Sequence, residues 1–366
     1  MIHLVYPHRA RISAPDVIGA TLARALARMD EVATHEVDSF HRIRPAPGDI
    51  LVGHAYQFGP TVFRRSVRDP RWARRILLQP YNGDWAQVGF LDQVIDDCDL
   101  FLAITGRYWF DRVPETRAVR WLPKMIHVDL AVDRASFAPV KTKFNPPGKR
   151  RVLYIGNDHP GKNIPYLRQI ARAWEGGIDW AGRGVAAPPL RQLGFVDFAS
   201  AAGRRLVAEY DFLITVGCAD ANPTTVLEAM AWGLIPICTP TSGYEGEPGI
   251  VNVPTNDVAA VRAVLDRLQS ADESVLRDLQ AAGAARLDAH FTWDRFSAQV
   301  IAAIKSNACP RLAPRAPESA KAVPTPTAKF ATKLMAKNAA YLLDRRLPGS
   351  TEKLRRAARI RDWLRR

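Results

Sequence analysis

Short apolar runs recur along this chain, each followed by a stretch of helical periodicity, and that alternation restricts the folds open to it. A run of four or five apolar residues has no polar face, so a strand built from it must be covered on both sides. Parallel sheets packed between helices supply that cover, because each parallel connection is long enough to hold a helix. In the first third the strand-like runs are residues 2–6, 49–53, 75–79 and 100–104. Residues 15–29 carry Val17, Ile18, Leu22 and Leu26 at helical spacing, and 90–97 also read as helical.

The pattern restarts after residues 141–151, which are rich in Lys, Pro and Gly. Strands are expected at 151–156, 178–181, 211–216 and 235–238. Helices are expected at 162–174, 199–209, 223–232, 258–268, 276–290 and 293–304. A chain of 366 residues exceeds one ordinary core. The expected organisation is therefore a first domain over 1–140, a linker over 141–150 and a second domain over 151–305. A Pro-rich linker follows over 306–328 and a basic, partly helical tail over 329–366.

Charge separates the tail from the rest. It holds twelve basic residues against Asp344, Glu352 and Asp362, so +9 of the chain's net +14 lies there. Such a segment favours an anionic membrane surface. A nucleic-acid partner is not expected, because the charge is not interleaved with aromatics across a folded face. No apolar stretch reaches bilayer length, and the N-terminus reads as a first buried strand rather than a signal peptide. The four cysteines are scattered, which argues against a disulfide framework and a zinc site. Cys98, Cys218 and Cys238 are expected to be inert core thiols. The expected setting is cytoplasmic, peripheral at the inner membrane face.

The most informative stretch is residues 211–240, DFLITVGCADANPTTVLEAMAWGLIPICTP. A buried strand ends at Val216, a loop crosses to a helix, Asn222 suits its N-cap, Pro223 its first position and Gly233 its close. A strand's C-terminal end thus meets a helix N-terminus, a natural place for an anion. Asp220 lies in the loop and Glu228 on the helix, with seven residues between. A carboxylate among Val226, Leu227, Ala229 and Met230 is costly unless paired or facing a polar cleft; taken alone, it reads more simply as a helix-favouring Glu pointing to solvent.

This unit resembles the donor-binding motif of the large retaining glycosyltransferase family numbered four. There an acid, seven residues and Glu lie within a run like P-T-x-x-L-E-A-M-A-x-G-x-P. Asp220, Pro223, Thr224, Leu227, Glu228, Ala229, Met230, Ala231, Gly233 and Pro236 match in register. Asp220 stands where the family usually has Glu. Leu153 to Asn163 (LYIGNDHPGKN) resembles the family's Gly-Arg…Lys loop, with Gly156 and Lys162 in place and Asn157 where Arg is usual. Trp180-Ala181-Gly182-Arg183-Gly184 resembles the glycine loop beneath the nucleotide, and the loop holding Gly243 follows the next strand.

The resemblance implies an α/β, GT-B fold: two Rossmann-like domains with parallel sheets facing across a cleft. It implies sugar transfer from a nucleoside-diphosphate sugar to a hydroxyl, with retention and without a metal or other cofactor. Glu228 would hold ribose hydroxyls, Asp220 the donor sugar and Lys162 the diphosphate. Gly156, Asn157, Gly182, Asn222, Pro223, Thr224, Thr225 and Gly243 would complete the donor site. The first domain would take a glycan or lipid-linked acceptor from the cell envelope. Its candidates are His54, ranked first, then Tyr81, Asn82 and Asp84 at strand ends, with His8 and Arg9. A catalytically degenerate nucleotide-sugar-binding protein and a nucleotide-sugar epimerase are the alternatives.

Overall fold

The computed structural model describes residues 1–7, 14–57, 59, 61–184 and 188–306. His8, Arg9, most of the Pro-rich linker and the basic tail lie outside the described residues. The chain forms two six-stranded, wholly parallel sheets. The first holds β1 (Ile2–Val5), β2 (Val32–His35), β3 (Ile50–Gly53), β4 (Arg74–Pro80), β5 (Leu100–Ile104) and β6 (Met125–Val128), in the order β2-β1-β3-β4-β5-β6. The second holds β7 (Val152–Ile155), β8 (Ile178–Ala181), β9 (Arg191–Gly194), β10 (Phe212–Thr215), β11 (Ile235–Cys238) and β12 (Val251–Asn252), in the order β12-β11-β10-β7-β8-β9. In each sheet the winding reverses once, between β1 and β3 and between β7 and β10. Ligands of open α/β sheets bind beyond the strands' C-terminal ends at such reversals.

The apolar runs became the central strands. Every residue of β5 and of β10 is buried, as expected of strands covered on both faces. Two clusters flank each sheet. One face of the first packs around Leu51, Phe63, Leu77, Phe101 and Trp121, the other around Leu4, Leu22, Leu78 and Leu102. Residues 90–97, expected as a helix, form two 3-10 turns, Gly89–Gln93 and Ile95–Asp97, with Leu91 and Ile95 turned inward.

Two crossings join the sheets. After β6, Val132 enters the second sheet's core, with Phe137 and Val140 packed against it. The helix Trp293–Lys305, capped by Thr292, returns to the first sheet, where Phe296, Val300, Ala303 and Ile304 pack with Leu4 and Leu22. Chain order groups this helix with the second domain; its packing lies with the first. The crossings touch where Val132 N donates to Phe291 O at 3.1 Å.

Candidate functional site

The C-terminal ends of both sheets meet. The loop after β10 runs through Gly217, Cys218, Ala219, Asp220, Ala221 and Asn222. On its own side, Cys218 N and Ala219 N donate to Gly161 O, and Asp220 N to Thr241 O. Thr239 and Thr241 hydroxyls donate to Gly217 O at 2.8 and 2.5 Å. Three loops, after β7, β10 and β11, therefore converge at the reversal between β7 and β10.

Lys162 closes a 3-10 turn (Pro160–Lys162), and Asn163 follows at φ 55° before the helix Ile164–Ala173 begins. Asn tolerates that left-handed conformation better than most residues. Lys162 thus stands outside the helix, and its ammonium is ion-paired with Asp220. Gly156 and Gly182 come together, since a Cβ on Gly182 (φ 145°) would lie 1.8 Å from Gly156 O. Asn157 is exposed, its side chain accepting from His159 N at 3.1 Å.

The helix Thr224–Trp232 starts one residue later than its sequence implies. Pro223, not Asn222, is the N-cap, and no side chain caps it. The amides of the first turn at Thr224 and Thr225 are thus left for a ligand or water. Asn222 is instead drawn across the cleft, where its Oδ1 accepts from Leu130 N at 2.7 Å. Glu228, one turn into the helix, is half-buried among apolar neighbours. Burial pushes its carboxyl up to about 7, partly offset by a bond from Thr224. It can therefore change charge near neutrality.

First-domain candidates separate. His54 follows β3 at that sheet's reversal, with its ring edge-on to Tyr6 at 5.7 Å. Burial pushes its imidazole down to about 4, and its Nδ1 is buried without a hydrogen-bond partner among the described residues. The ring is neutral near neutral pH. Tyr81 belongs to the core, 1% exposed, with its hydroxyl 3.3 Å from Thr116 Oγ1. Asp84 caps a short helix by accepting from Ala86 N. Gly243 (φ 92°) sits against Ala221 and Gly106, on the interface between the domains. Cys218, expected in a core, is exposed, because the apolar run ends at Val216 and the thiol sits in the loop.

Gly106 and Trp109, the N-cap and a residue of the short helix Arg107–Asp111 after β5, carried no sequence signal beyond their place near a strand end. Trp109 Nε1 donates to Asp220 O at 2.8 Å and to Thr241 O at 3.2 Å, and Gly106 N to Ala221 O at 2.7 Å. Among the described residues no helix is long and apolar enough to cross a membrane.

Two doubly wound parallel sheets whose C-terminal edges face each other, joined by a double crossing, are the GT-B fold of glycosyltransferases. Solved structures share it. Sucrose-phosphate synthase from Thermosynechococcus elongatus matches with a TM-score of 0.59 at 15% identity, over 83% of this chain and 98% of its own. HepE from Anabaena, solved in complex with UDP and glucose, matches at 0.57 and 10% identity, over 83% and 98%. TarM matches at 0.55 and 9% identity over 79% of this chain, which spans 58% of TarM's length. At such identities the likeness is one of fold. No protein-family model and no curated protein sequence matches the chain.

Proposed function

We propose that this protein is a retaining, metal-independent glycosyltransferase that moves a hexose-type sugar from a nucleoside diphosphate to a hydroxyl acceptor. The observation that carries the reading is the meeting, at the β7/β10 reversal, of Lys162, Asp220 and an uncapped helix N-terminus with Glu228 one turn behind. Departure of the diphosphate concentrates negative charge. Lys162 and the Thr224–Thr225 amides are the groups here suited to stabilise it. Glu228 accepts ribose hydroxyls, and Asp220, released from Lys162 when the diphosphate takes the cation, faces the donor sugar. HepE was solved with UDP and glucose, which supports the same donor class here.

His54, neutral and with an open Nδ1, serves as a hydrogen-bonding group for the acceptor rather than as a strong base. In the resembling family the departing phosphate takes the acceptor proton. The acceptor is a glycan or lipid-linked sugar of the cell envelope. The basic segment 329–366 would hold the enzyme against an anionic membrane on its cytoplasmic side.

Calorimetry with UDP, GDP and ADP tests the donor site. One nucleotide binds the wild type, and Glu228→Ala weakens it at least about ten-fold, the loss of one or two hydrogen bonds to a charged group. Absence of binding to all three would overturn the reading.

A further inference from the structure

Four consecutive residues of the β10 loop are held by the opposite domain. Ala219 O accepts from Asn82 Nδ2 at 2.9 Å, Asp220 O from Trp109 Nε1 at 2.8 Å, and Ala221 O from Gly106 N at 2.7 Å. Asn222 Oδ1 accepts from Leu130 N at 2.7 Å. The amides at 218, 219 and 220 are spent within the second domain, so the carbonyls are the groups left to fix the loop's orientation.

The first-domain donors are themselves built in. Asn82 is 7% exposed, its Nδ2 also donating to Gln87 Oε1 at 3.0 Å and its Oδ1 accepting from Asp84 N at 3.2 Å. Trp109 lies against Gly83, where a Cβ would come within 2.6 Å of its ring. Gly106 and Gly243 approach so closely that a Cβ on Gly106 would lie 1.8 Å from Gly243 O. No side chain larger than hydrogen fits at that contact.

We infer that Trp109 and Asn82 are positioning residues: by gripping the carbonyls of Asp220 and Ala219, the first domain sets where the Asp220 carboxylate points. The grip rests on the proposed transferase reading for its consequence, not for its existence. Nucleotide affinity belongs to Glu228 and Lys162 in the second domain, whereas sugar transfer needs Asp220 in register. The grip therefore acts chiefly on turnover, with a smaller effect on nucleotide binding through the Asp220–Lys162 ion pair.

Trp109→Phe keeps the ring against Gly83 and removes both indole bonds; Asn82→Ala removes the third. Three readouts on the full chain test the idea: amide hydrogen exchange in the peptide covering 217–222, the nucleotide Kd, and kcat for transfer. The expected result is exchange faster by about ten-fold in either variant, kcat lower by about ten-fold and Kd changed by no more than about two-fold. Unchanged exchange in that peptide overturns the inference. So does a fall of kcat and nucleotide affinity by the same factor, which would mark a general loss of structure. A wild type that binds no nucleotide sinks the transferase reading instead, and the exchange data still decide whether the grip exists.

Discussion

Glu228 shows how one residue's surroundings become a measurable property. Burial among Val226, Leu227, Ala229 and Met230 disfavours its charged form and raises the carboxyl to about 7. A carboxylate accepts two hydroxyls, whereas the protonated acid gives up part of that capacity. Nucleotide affinity is therefore expected to rise between about pH 6 and about pH 8, and Glu228→Gln is expected to flatten the rise. Stability runs the other way. A carboxyl raised above its unfolded value stabilises the fold fully at pH below that value, and the contribution fades as pH climbs through about 7. Calorimetry across that range, on both proteins, checks the first expectation; an affinity flat in wild type would remove Glu228 from the contact.

At the scale of elements, the strands that the sequence hid share one trait. β2 and β6 are the edges of the first sheet, and β9 and β12 the edges of the second. An edge strand has half its flank in water and needs no continuous apolar run. Arg191-Gln192-Leu193-Gly194 is exposed or half-buried throughout, and Val32-Ala33-Thr34-His35 likewise has no fully buried residue. Central strands were legible because burial on both faces leaves mostly apolar residues, as in β5 and β10. The helix Thr224–Trp232 was legible to its end, where Gly233 adopts φ 89° and Leu234 N donates to Ala229 O at 2.9 Å. A Cβ there would also lie 2.8 Å from Gln280 Nε2. Gly233→Ala is expected to cost about 1–2 kcal/mol, read as a lower denaturant midpoint with an unchanged slope.

At the scale of the whole molecule the two crossings are braced by a small charged cluster. Asp129, just after β6, lies 3.2 Å from His127 Nε2 and 2.7 Å from His290 Nε2 at the end of the helix Glu273–His290. Burial opposes charge on His127, but Asp129 outweighs it and raises the imidazole above its ordinary value. Burial likewise opposes charge on Asp129, and the two histidines outweigh it and lower the carboxyl. His127 contributes stability below its unfolded pKa and loses it as pH rises through the raised folded value. Asp129 contributes above its unfolded pKa and loses it as pH falls through the depressed one. The brace is firmest between those limits. Asp129→Asn is expected to destabilise by about 2 kcal/mol near pH 6 and by less near pH 9, checked by denaturant titration at both. An equal loss at both pH values would show that His127 charge plays no part.

Local chemistry was enough to determine the central strands of the two parallel sheets, the position of the Asp220–Glu228 unit and the glycine at its helix end. Each depends on near neighbours in the chain: apolar runs that exclude a polar face, spacing along one helix, a residue without a Cβ where φ must be positive. The partners across the cleft were decided by tertiary structure alone. Asn222 reads locally as a cap, yet the amide of Leu130, ninety-two residues earlier, claims its oxygen. Trp109 reads as one aromatic among many until the fold sets its indole under the Asp220 carbonyl. Even the last helix, expected from the sequence as 293–304, has its packing chosen by the return crossing, because an amphipathic face specifies burial but not against which core.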